Sequence, residues 1–200
     1  MRGGDDQPDL SLIEMQAFLV SISTVAIAEM GDRTQLLSML LAARFRKPWP
    51  IIAGIFLATI ANPALAALIG VEFAKYLTPF VLNLVVGVSL IGMAIWTLIP
   101  DKIDEDAKLG KRGAFAATLI AFFIAEMGDK TQIATAALAA GYHNLFEVVA
   151  GSTLGMMIAN VPAVFLGHGF ATRLPMRTIH IGAALLFAVL GAWFISRALL

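Results

Sequence analysis

The sequence predicts an all-α integral membrane protein of six transmembrane helices, arranged as two inverted three-helix repeats. Its 200 residues are 59% hydrophobic and 14% charged, with a mean hydropathy of +0.84. Soluble domains are typically about 45–50% apolar and about 25% charged. Six apolar segments are long enough to cross a bilayer. A ten-residue stretch containing E-M-G-D-[RK]-T-Q occurs twice, at 26–35 and 123–132.

The six predicted membrane segments are separated by prolines and polar residues. A bilayer core takes about 20 apolar residues per helix. Pro48 follows the first segment and Pro79 opens the third, because proline favours helix starts and boundaries. Pro100 closes the third segment, and Pro175 precedes the sixth. The segments are 12–43, 50–71, 78–99, 113–140, 146–168 and 178–198.

The first and fourth segments are longer than one membrane helix requires. A straight helix over 12–43 would be about 48 Å long at about 1.5 Å per residue, against a hydrocarbon core of about 30 Å. Each segment has a glycine inside its motif, Gly31 or Gly128. Glycine weakens a helix and permits close backbone approach. We therefore expect the first helix of each repeat to be bent or broken at the motif.

The repetition extends beyond the motif, whose copies lie 97 positions apart (126 − 29 = 97). Gly54 is matched by Gly151, and Asn62 by Asn160. An odd number of spans in each half would invert the second half relative to the first. Many secondary transporters have this arrangement, with the binding site near the midplane where the repeats meet. The predicted halves are 1–100, an N-terminal tail with three helices, and 101–200, a cytoplasmic linker at 101–113 with three helices.

The positively charged loop residues predict an orientation, since cytoplasmic loops carry an excess of Lys and Arg. The loops after the first, third and fifth segments hold nine of these residues, and the opposite side holds three. Both termini are therefore expected on the non-cytoplasmic side. The nine are Arg44, Arg46, Lys47, Lys102, Lys108, Lys111, Arg112, Arg173 and Arg177, and the three are Arg2, Lys75 and Arg197.

Each motif places two carboxylates inside a membrane segment, where charge is costly and usually functional. In a helix, residues three apart share a face. Two such faces brought together offer up to eight carboxylate oxygens. Oxygen ligands suit Ca²⁺, Mn²⁺ and Mg²⁺. The predicted metal ligands are Glu29, Asp32, Glu126 and Asp129.

Other polar side chains near the motifs are candidates for supporting roles. Hydroxyl and amide groups can add ligands or orient the acids. The motif methionines either pack or favour Mn²⁺ over Ca²⁺ through their thioethers. Two asparagines in the second and fifth segments either bridge helices or line the pathway. The supporting candidates are Thr34, Gln35, Thr131, Gln132, Met30, Met127, Asn62 and Asn160.

The two basic residues of the motifs, Arg33 and Lys130, set the charge of the site. Each motif carries two acids and one base, so two ionised motifs total −2, the charge that one divalent cation neutralises. Protonating the acids when the metal leaves would avoid bare buried charge, which is a route to metal/proton exchange. Alternatively, Glu29–Arg33 and Glu126–Lys130, each at i, i+4, are structural ion pairs within their helices.

These residues resemble a known family. Two E-x-G-D-[KR]-[ST] motifs in two three-span halves are similar to those of the cation transporter family that includes bacterial MneA-type manganese exporters and the eukaryotic Golgi protein called transmembrane protein 165. The resemblance covers nearly the whole chain. It implies Mn²⁺ or Ca²⁺ transport against protons, with the four motif acids at the ion site. The compact chain resembles the bacterial branch, which implies manganese efflux across the bacterial inner membrane.

Several function classes are disfavoured. The chain has no cysteine, so it has no disulfides, thiolate ligands or thiol nucleophiles. Its formal net charge of zero gives no case for nucleic acid. It has no G-x-x-x-x-G-K-[ST] phosphate-binding motif. We expect a transporter rather than an enzyme, without a cofactor, whose partners are the lipid bilayer and the transported ion. The sequence does not predict an oligomeric state.

Three alternatives remain open at this stage. A Ca²⁺/H⁺ antiporter fits the same oxygen ligands. An intramembrane aspartyl protease is suggested by Asp32 and Asp129, each preceded by glycine. That chemistry requires two carboxylates sharing a proton, whereas each aspartate here has its own neighbouring glutamate and base. A passive channel is the third alternative.

Overall fold

The computed structural model describes residues 10–99, 113–166 and 176–199. The predicted N-terminal tail and nearly all of the predicted linker at 101–113 lie outside these residues. Within them the chain forms eight α-helices. They are α1 (Leu10–Glu29), α2 (Arg33–Phe45), α3 (Pro48–Ala74), α4 (Pro79–Thr97), α5 (Ala114–Glu126), α6 (Lys130–Tyr142), α7 (Leu145–Leu166) and α8 (Met176–Leu199).

Five of these helices are long and apolar enough to cross a membrane, namely α1, α3, α4, α7 and α8. α5 is a shorter apolar helix of 13 residues. Many large apolar side chains lie on the outer surface, among them Ile69, Phe73 and Ile95. This surface suits lipid, and the prediction of an all-α integral membrane protein is confirmed.

The two long segments are both interrupted at their motifs, as predicted. α1 ends at Glu29 and α2 begins at Arg33. α5 ends at Glu126 and α6 begins at Lys130. The predicted segments 12–43 and 113–140 are therefore each two helices joined by a short connection. Both connections lie inside the repeated motif.

The helices of one half pack mainly on those of the other. α3 lies against α5 and α6, while α7 lies against α1 and α2, and α3 and α7 also contact each other. A Cβ built at Gly54 would lie 2.9 Å from the Phe115 carbonyl oxygen of α5. A Cβ built at Gly151 would lie 2.6 Å from the Phe18 carbonyl oxygen of α1. These close crossings bring the two interrupted helices together at their motifs.

The pair formed by α4 and α8 is packed to one side of this arrangement. The two helices cross where Gly87 and Gly191 meet. A Cβ at either glycine would lie too close to the carbonyl oxygen of the other glycine. α4 also packs on α6, and α8 on α1. One apolar core joins these four helices around Leu90, Phe187 and Phe194. A smaller core, including Ile51, Ile55 and Phe122, lies between α2, α3, α5 and α7.

Candidate metal centre

The connection between each pair of motif helices is a tight turn with glycine in its third position. The amide of Asp32 donates to the carbonyl of Glu29, and the amide of Asp129 to that of Glu126, both at 3.1 Å. Met127 has φ −68° and ψ 116°, followed by Gly128 at φ +76°. These angles match a type II turn, which requires positive φ at its third residue and so favours glycine there. Gly31 has the equivalent φ of +81°.

The helix after each turn is started by the rest of the motif. Asp32 and Asp129 are the N-cap residues of α2 and α6. The Gln three positions later reaches back, so that Gln35 Oε1 accepts from the Gly31 amide at 2.9 Å. Gln132 Oε1 accepts from the Gly128 amide at 2.6 Å. Each Gln therefore satisfies an amide that the helix break exposes, much as in a capping box.

The ends of the interrupted helices bring three carboxylates together. One oxygen from each of Glu29, Glu126 and Asp129 lies within 4.8 Å of the other two. The two glutamates are 0% exposed and Asp129 is 2% exposed. The Oε1 atoms of Glu29 and Glu126 are buried with no hydrogen-bond partner in the part of the chain that the structure describes. Orphaned buried oxygens are rare and costly, so they mark where a cation or proton would bind.

Two threonines hold the other oxygens of the glutamates. The Thr34 hydroxyl donates to Glu29 Oε2 at 2.7 Å. The Thr131 hydroxyl lies 3.3 Å from Glu126 Oε2 and 3.2 Å from Asp129 Oδ2. Because each threonine occupies only one oxygen of its glutamate, the other oxygen remains available to a ligand.

The two bases pair with acids of the opposite motif, which corrects one of the sequence-based alternatives. Arg33 donates to Asp129 at 2.9 Å, and Lys130 pairs with Asp32. Ion pairs within a helix, Glu29–Arg33 and Glu126–Lys130, had been the alternative. They do not form because the helix ends between each glutamate and its base. The bases therefore link the two halves of the chain across the site.

Asp32 occupies a different position from the other three acids. It is 0% exposed and pairs with Lys130, whose side chain is 3% exposed. It is not in the group of three carboxylates whose oxygens approach within 4.8 Å. Each aspartate is thus paired with a base of the opposite motif, whereas an aspartyl protease requires two carboxylates that share a proton.

Asn62 and Asn160, matched in the sequence, contact different parts of the fold. Asn62 donates to the Phe123 carbonyl of α5 at 3.1 Å. That carbonyl is left over by the helix break, since the Met127 amide turns to Ile124 instead. The Asn160 side-chain oxygen accepts from the Ser38 hydroxyl of α2 at 2.9 Å.

A difference in residue spacing explains this. Asn62 lies eight residues after Gly54 (62 − 54 = 8), and Asn160 lies nine after Gly151 (160 − 151 = 9). One added residue rotates a helix face by about 100°. The position of α7 that matches Asn62 in spacing is Ala159, whose carbonyl accepts from Gln35 at 2.9 Å.

The motif methionines, Met30 and Met127, are the second residues of the two turns. Met127 is 59% exposed, and Met30 is partly buried. The hydroxyl groups that contact the three acids belong to Thr34 and Thr131, and the Arg33 guanidinium contacts Asp129. The described ligand set is therefore built from oxygen atoms.

The match to known proteins agrees with this site. A family model described as "Divalent cation/proton antiporter GDT1" matches residues 17–105 and 114–200. The chain belongs to the GDT1 family. Both motifs fall inside the matched ranges, so the family resemblance drawn from the motifs is confirmed.

Individual relatives in the GDT1 family span bacteria and eukaryotes. A Vibrio cholerae protein named "Putative manganese exporter" is 53% identical over 184 residues, covering 90% of this chain and 92% of its own. A GDT1-like protein of Synechocystis is 32% identical, covering 90% of this chain and 98% of its own. The "Divalent cation/proton antiporter GDT1" of Saccharomyces cerevisiae is 24% identical, covering 92% and 85%. No solved structure matches the chain significantly.

The family match and the fold together establish a multi-pass membrane protein of a cation transporter family. The structure adds features that sequence reasoning had missed. The E-x-G-D portion of each motif is a type II turn signal, and the D-x-x-Q portion is a helix-start signal. Interpreted as these two signals, the motif sequence would have predicted the residue at which each helix ends and the residue at which the next one begins. Ser38, Thr135 and Ser152 form further buried hydrogen bonds beside the motif helices, and no motif marks them.

Proposed function

We propose that this chain is a secondary transporter that exports divalent cations, preferably Mn²⁺, from the cytoplasm in exchange for protons. The ion site comprises Glu29, Asp32, Glu126 and Asp129. The observation that carries the proposal is the convergence of buried carboxylates from two helix breaks. Glu29 and Glu126 each present an oxygen without a hydrogen-bond partner among the described residues. Helix breaks at a repeat interface are where transporters bind their ions.

The charges of the site support exchange with protons. Arg33 and Lys130 neutralise Asp129 and Asp32. Glu29 and Glu126 then remain as two buried acids without a base paired to them in the described residues. Bare buried charge is very costly, so this pair is stable with two protons or with one divalent cation. The expected exchange is therefore two protons for each divalent cation, which moves no net charge.

The packing supports alternating access by inverted repeats. Each half contributes one interrupted helix, and each interrupted helix packs on the span that follows the break in the other half, α5 on α3 and α1 on α7. This is the reciprocal arrangement expected of two halves related by a two-fold axis in the membrane plane. The excess of Lys and Arg in the loops supports termini on the non-cytoplasmic side of a bacterial inner membrane.

The choice of Mn²⁺ over Ca²⁺ rests on the relatives rather than on the donor atoms. The described donors are oxygens, which both ions accept. The Vibrio cholerae relative, at 53% identity, is named for manganese export. A Ca²⁺/H⁺ antiporter is therefore the second candidate, supported by the oxygen-only site and the antiporter name of the family model.

Export can be tested by expressing the chain in a manganese-sensitive bacterium that lacks its own exporter. The full chain should restore growth in excess manganese and lower cellular manganese. Glu29→Gln and Glu126→Gln should abolish both effects. The matched control is Glu72→Gln, because Glu72 is an exposed acid paired with Lys75 outside the motifs. Lowered calcium with unchanged manganese would instead favour the Ca²⁺ candidate.

Proton coupling needs the purified chain in proteoliposomes. Mn²⁺ flux should move two protons in the opposite direction, reported by an internal pH dye, and an imposed membrane potential should leave the rate unchanged. Mn²⁺ flux without proton movement would contradict antiport and favour a channel.

A further inference from the structure

The two halves of the ion site are not equivalent in this structure. Asp129 lies with Glu29 and Glu126 in the group of three carboxylates. Asp32, its counterpart in the first motif, is not in that group and is paired with Lys130. A site built from two copies of one motif therefore has three acids together and the fourth set apart.

The two aspartates also differ in how deeply their basic partners are buried. The Arg33 side chain is 35% exposed, whereas that of Lys130 is 3% exposed. Arg33 can thus move its charge towards the protein surface and leave Asp129 to the incoming cation. Lys130 and Asp32 are both buried, so an ammonium displaced from Asp32 by a cation would stay inside the protein beside that cation, which is strongly unfavourable. A cation entering this conformation therefore gains Asp129 as a ligand at low cost, but not Asp32.

The helices around the site show the same asymmetry independently. α8 packs on α1, and α4 packs on α6. The corresponding pairs in the other half, α4 with α5 and α8 with α2, make at most marginal contact among the described residues. The turn at Met127 is accordingly exposed, while the turn at Met30 is partly covered. The two copies of the motif therefore have different surroundings in this structure.

We propose that the two aspartates take turns as the third carboxylate ligand. Asp129 joins Glu29 and Glu126 in the conformation described here, and Asp32 replaces it when α4 and α8 move to the opposite side. Arg33 and Lys130 are positioning residues. Each base pairs with its aspartate while that aspartate is not a metal ligand, and moves away when the aspartate becomes one. This inference rests on the proposed transport function, which it deepens by assigning ligands to a conformation.

The test compares two charge-neutral double variants, each of which removes one ion pair. They are Asp129→Asn with Arg33→Gln, and Asp32→Asn with Lys130→Gln. Mn²⁺ binding is measured by calorimetry on the full chain in nanodiscs. To hold this conformation, Val86 of α4 and Gly141 of α6 are changed to cysteine and oxidised, since a Cβ at Gly141 would lie 3.4 Å from Val86 Cγ1. The same Cβ would lie 2.5 Å from Cε1 and Cζ of Phe194, so Phe194→Leu is included in the crosslinked parent and in both of its variants to make room. The chain has no other cysteine.

In the crosslinked background, losing the Asp129 pair should weaken Mn²⁺ binding at least about tenfold, as loss of a ligand does. Losing the Asp32 pair should change it less than about threefold. Without the crosslink, loss of the Asp129 pair should still weaken Mn²⁺ binding more than loss of the Asp32 pair. The difference between the two variants should be smaller, because the chain can then adopt the other conformation. Both variants should be unable to exchange Mn²⁺ across proteoliposomes, since each lacks the ligand of one conformation.

The alternation would be contradicted if the two variants lost Mn²⁺ affinity equally. It would also be contradicted if the variant without the Asp32 pair lost more. The proposed function fails differently, if the parent chain neither binds nor transports a divalent cation. Wild-type transport with equal binding losses would leave the function standing and remove only this inference.

Discussion

The two helix breaks of this transporter have nearly the same backbone but different surroundings. Each is a four-residue turn with glycine at positive φ, closed by a Gln side chain that accepts from the glycine amide. Yet Met127 in the second turn is 59% exposed, while Met30 in the first turn is partly buried. The motif therefore determines the same local structure in both halves. The packing of α4 and α8 determines which neighbours contact each copy of the motif.

This comparison separates two kinds of residue. Those that build the breaks and the helix crossings have equivalent roles in both halves. Those whose side chains also contact surrounding helices, such as Arg33, Lys130 and the motif glutamine Gln35, differ between the halves. Substitutions made at matched positions should show equal effects for the first kind and unequal effects for the second.

The largest difference is expected between Lys130→Gln and Arg33→Gln. Removing Lys130 leaves the buried charge of Asp32 uncompensated, a loss of about 3–5 kcal/mol in the free energy of unfolding. The Arg33 side chain is 35% exposed although Asp129 is 2% exposed, so the cost of Arg33→Gln should lie between about 1 kcal/mol, typical of an exposed pair, and the cost of Lys130→Gln. Titration of unfolding with SDS in detergent micelles measures both. The exposed pair of Lys75 and Glu72 supplies the control Lys75→Gln, expected to be near neutral. Equal losses at Arg33 and Lys130 would show that the two ion pairs are equally buried.

The helix crossings should respond alike in both halves. Gly54→Ala and Gly151→Ala each place a methyl group within 3 Å of a backbone carbonyl oxygen on the neighbouring helix. Overpacking of this kind costs about 2 kcal/mol, so both variants should unfold at similarly lower SDS concentration. Gly92→Ala is the control, because nothing lies within 4 Å of a Cβ there. Loss at one crossing only would contradict the reciprocal packing of α3 on α5 and α7 on α1.

The motif glutamines should differ by a smaller amount. Gln35 is 1% exposed and bonds both the Gly31 amide and the Ala159 carbonyl. Gln132 is partly exposed and bonds the Gly128 amide. A buried polar group left without a partner costs about 1–3 kcal/mol. Gln35→Leu should therefore destabilise the chain by about 1–2 kcal/mol more than Gln132→Leu, measured by the same unfolding titration. A larger loss at Gln132 would mean that its turn is the more deeply packed of the two.

Much of the fold was predictable because the membrane imposes simple rules. Apolar length located the long helices, and excess length together with Gly31 and Gly128 located the breaks. The four acids were predicted as ligands because charge inside an apolar segment is costly unless it functions, and the structure buries all four. These inferences depend only on local sequence and on the solvent.

The partners of the charged residues were not predictable from the same sequence. Spacing favoured Glu29 with Arg33, but that rule holds only within a continuous helix, and the turn moves Arg33 towards Asp129. Likewise, sequence matching paired Asn62 with Asn160, but one extra residue after Gly151 turns Asn160 towards α2. Pairing across halves depends on tertiary packing, which a repeat in sequence does not encode.

The smallest expected effect concerns the turns themselves, where the two breaks should be most alike. Gly128 has φ +76° and open space around a built Cβ, so Gly128→Ala meets backbone strain alone. Such strain costs an L-residue about 1 kcal/mol. Asn tolerates positive φ better than Ala, so Gly128→Asn should retain more stability than Gly128→Ala. Gly31 has nearly the same φ, +81°, and Ala there should carry a strain penalty of the same size. A greater loss for Asn than for Ala at Gly128 would mean that side-chain space, rather than backbone conformation, requires glycine at this turn.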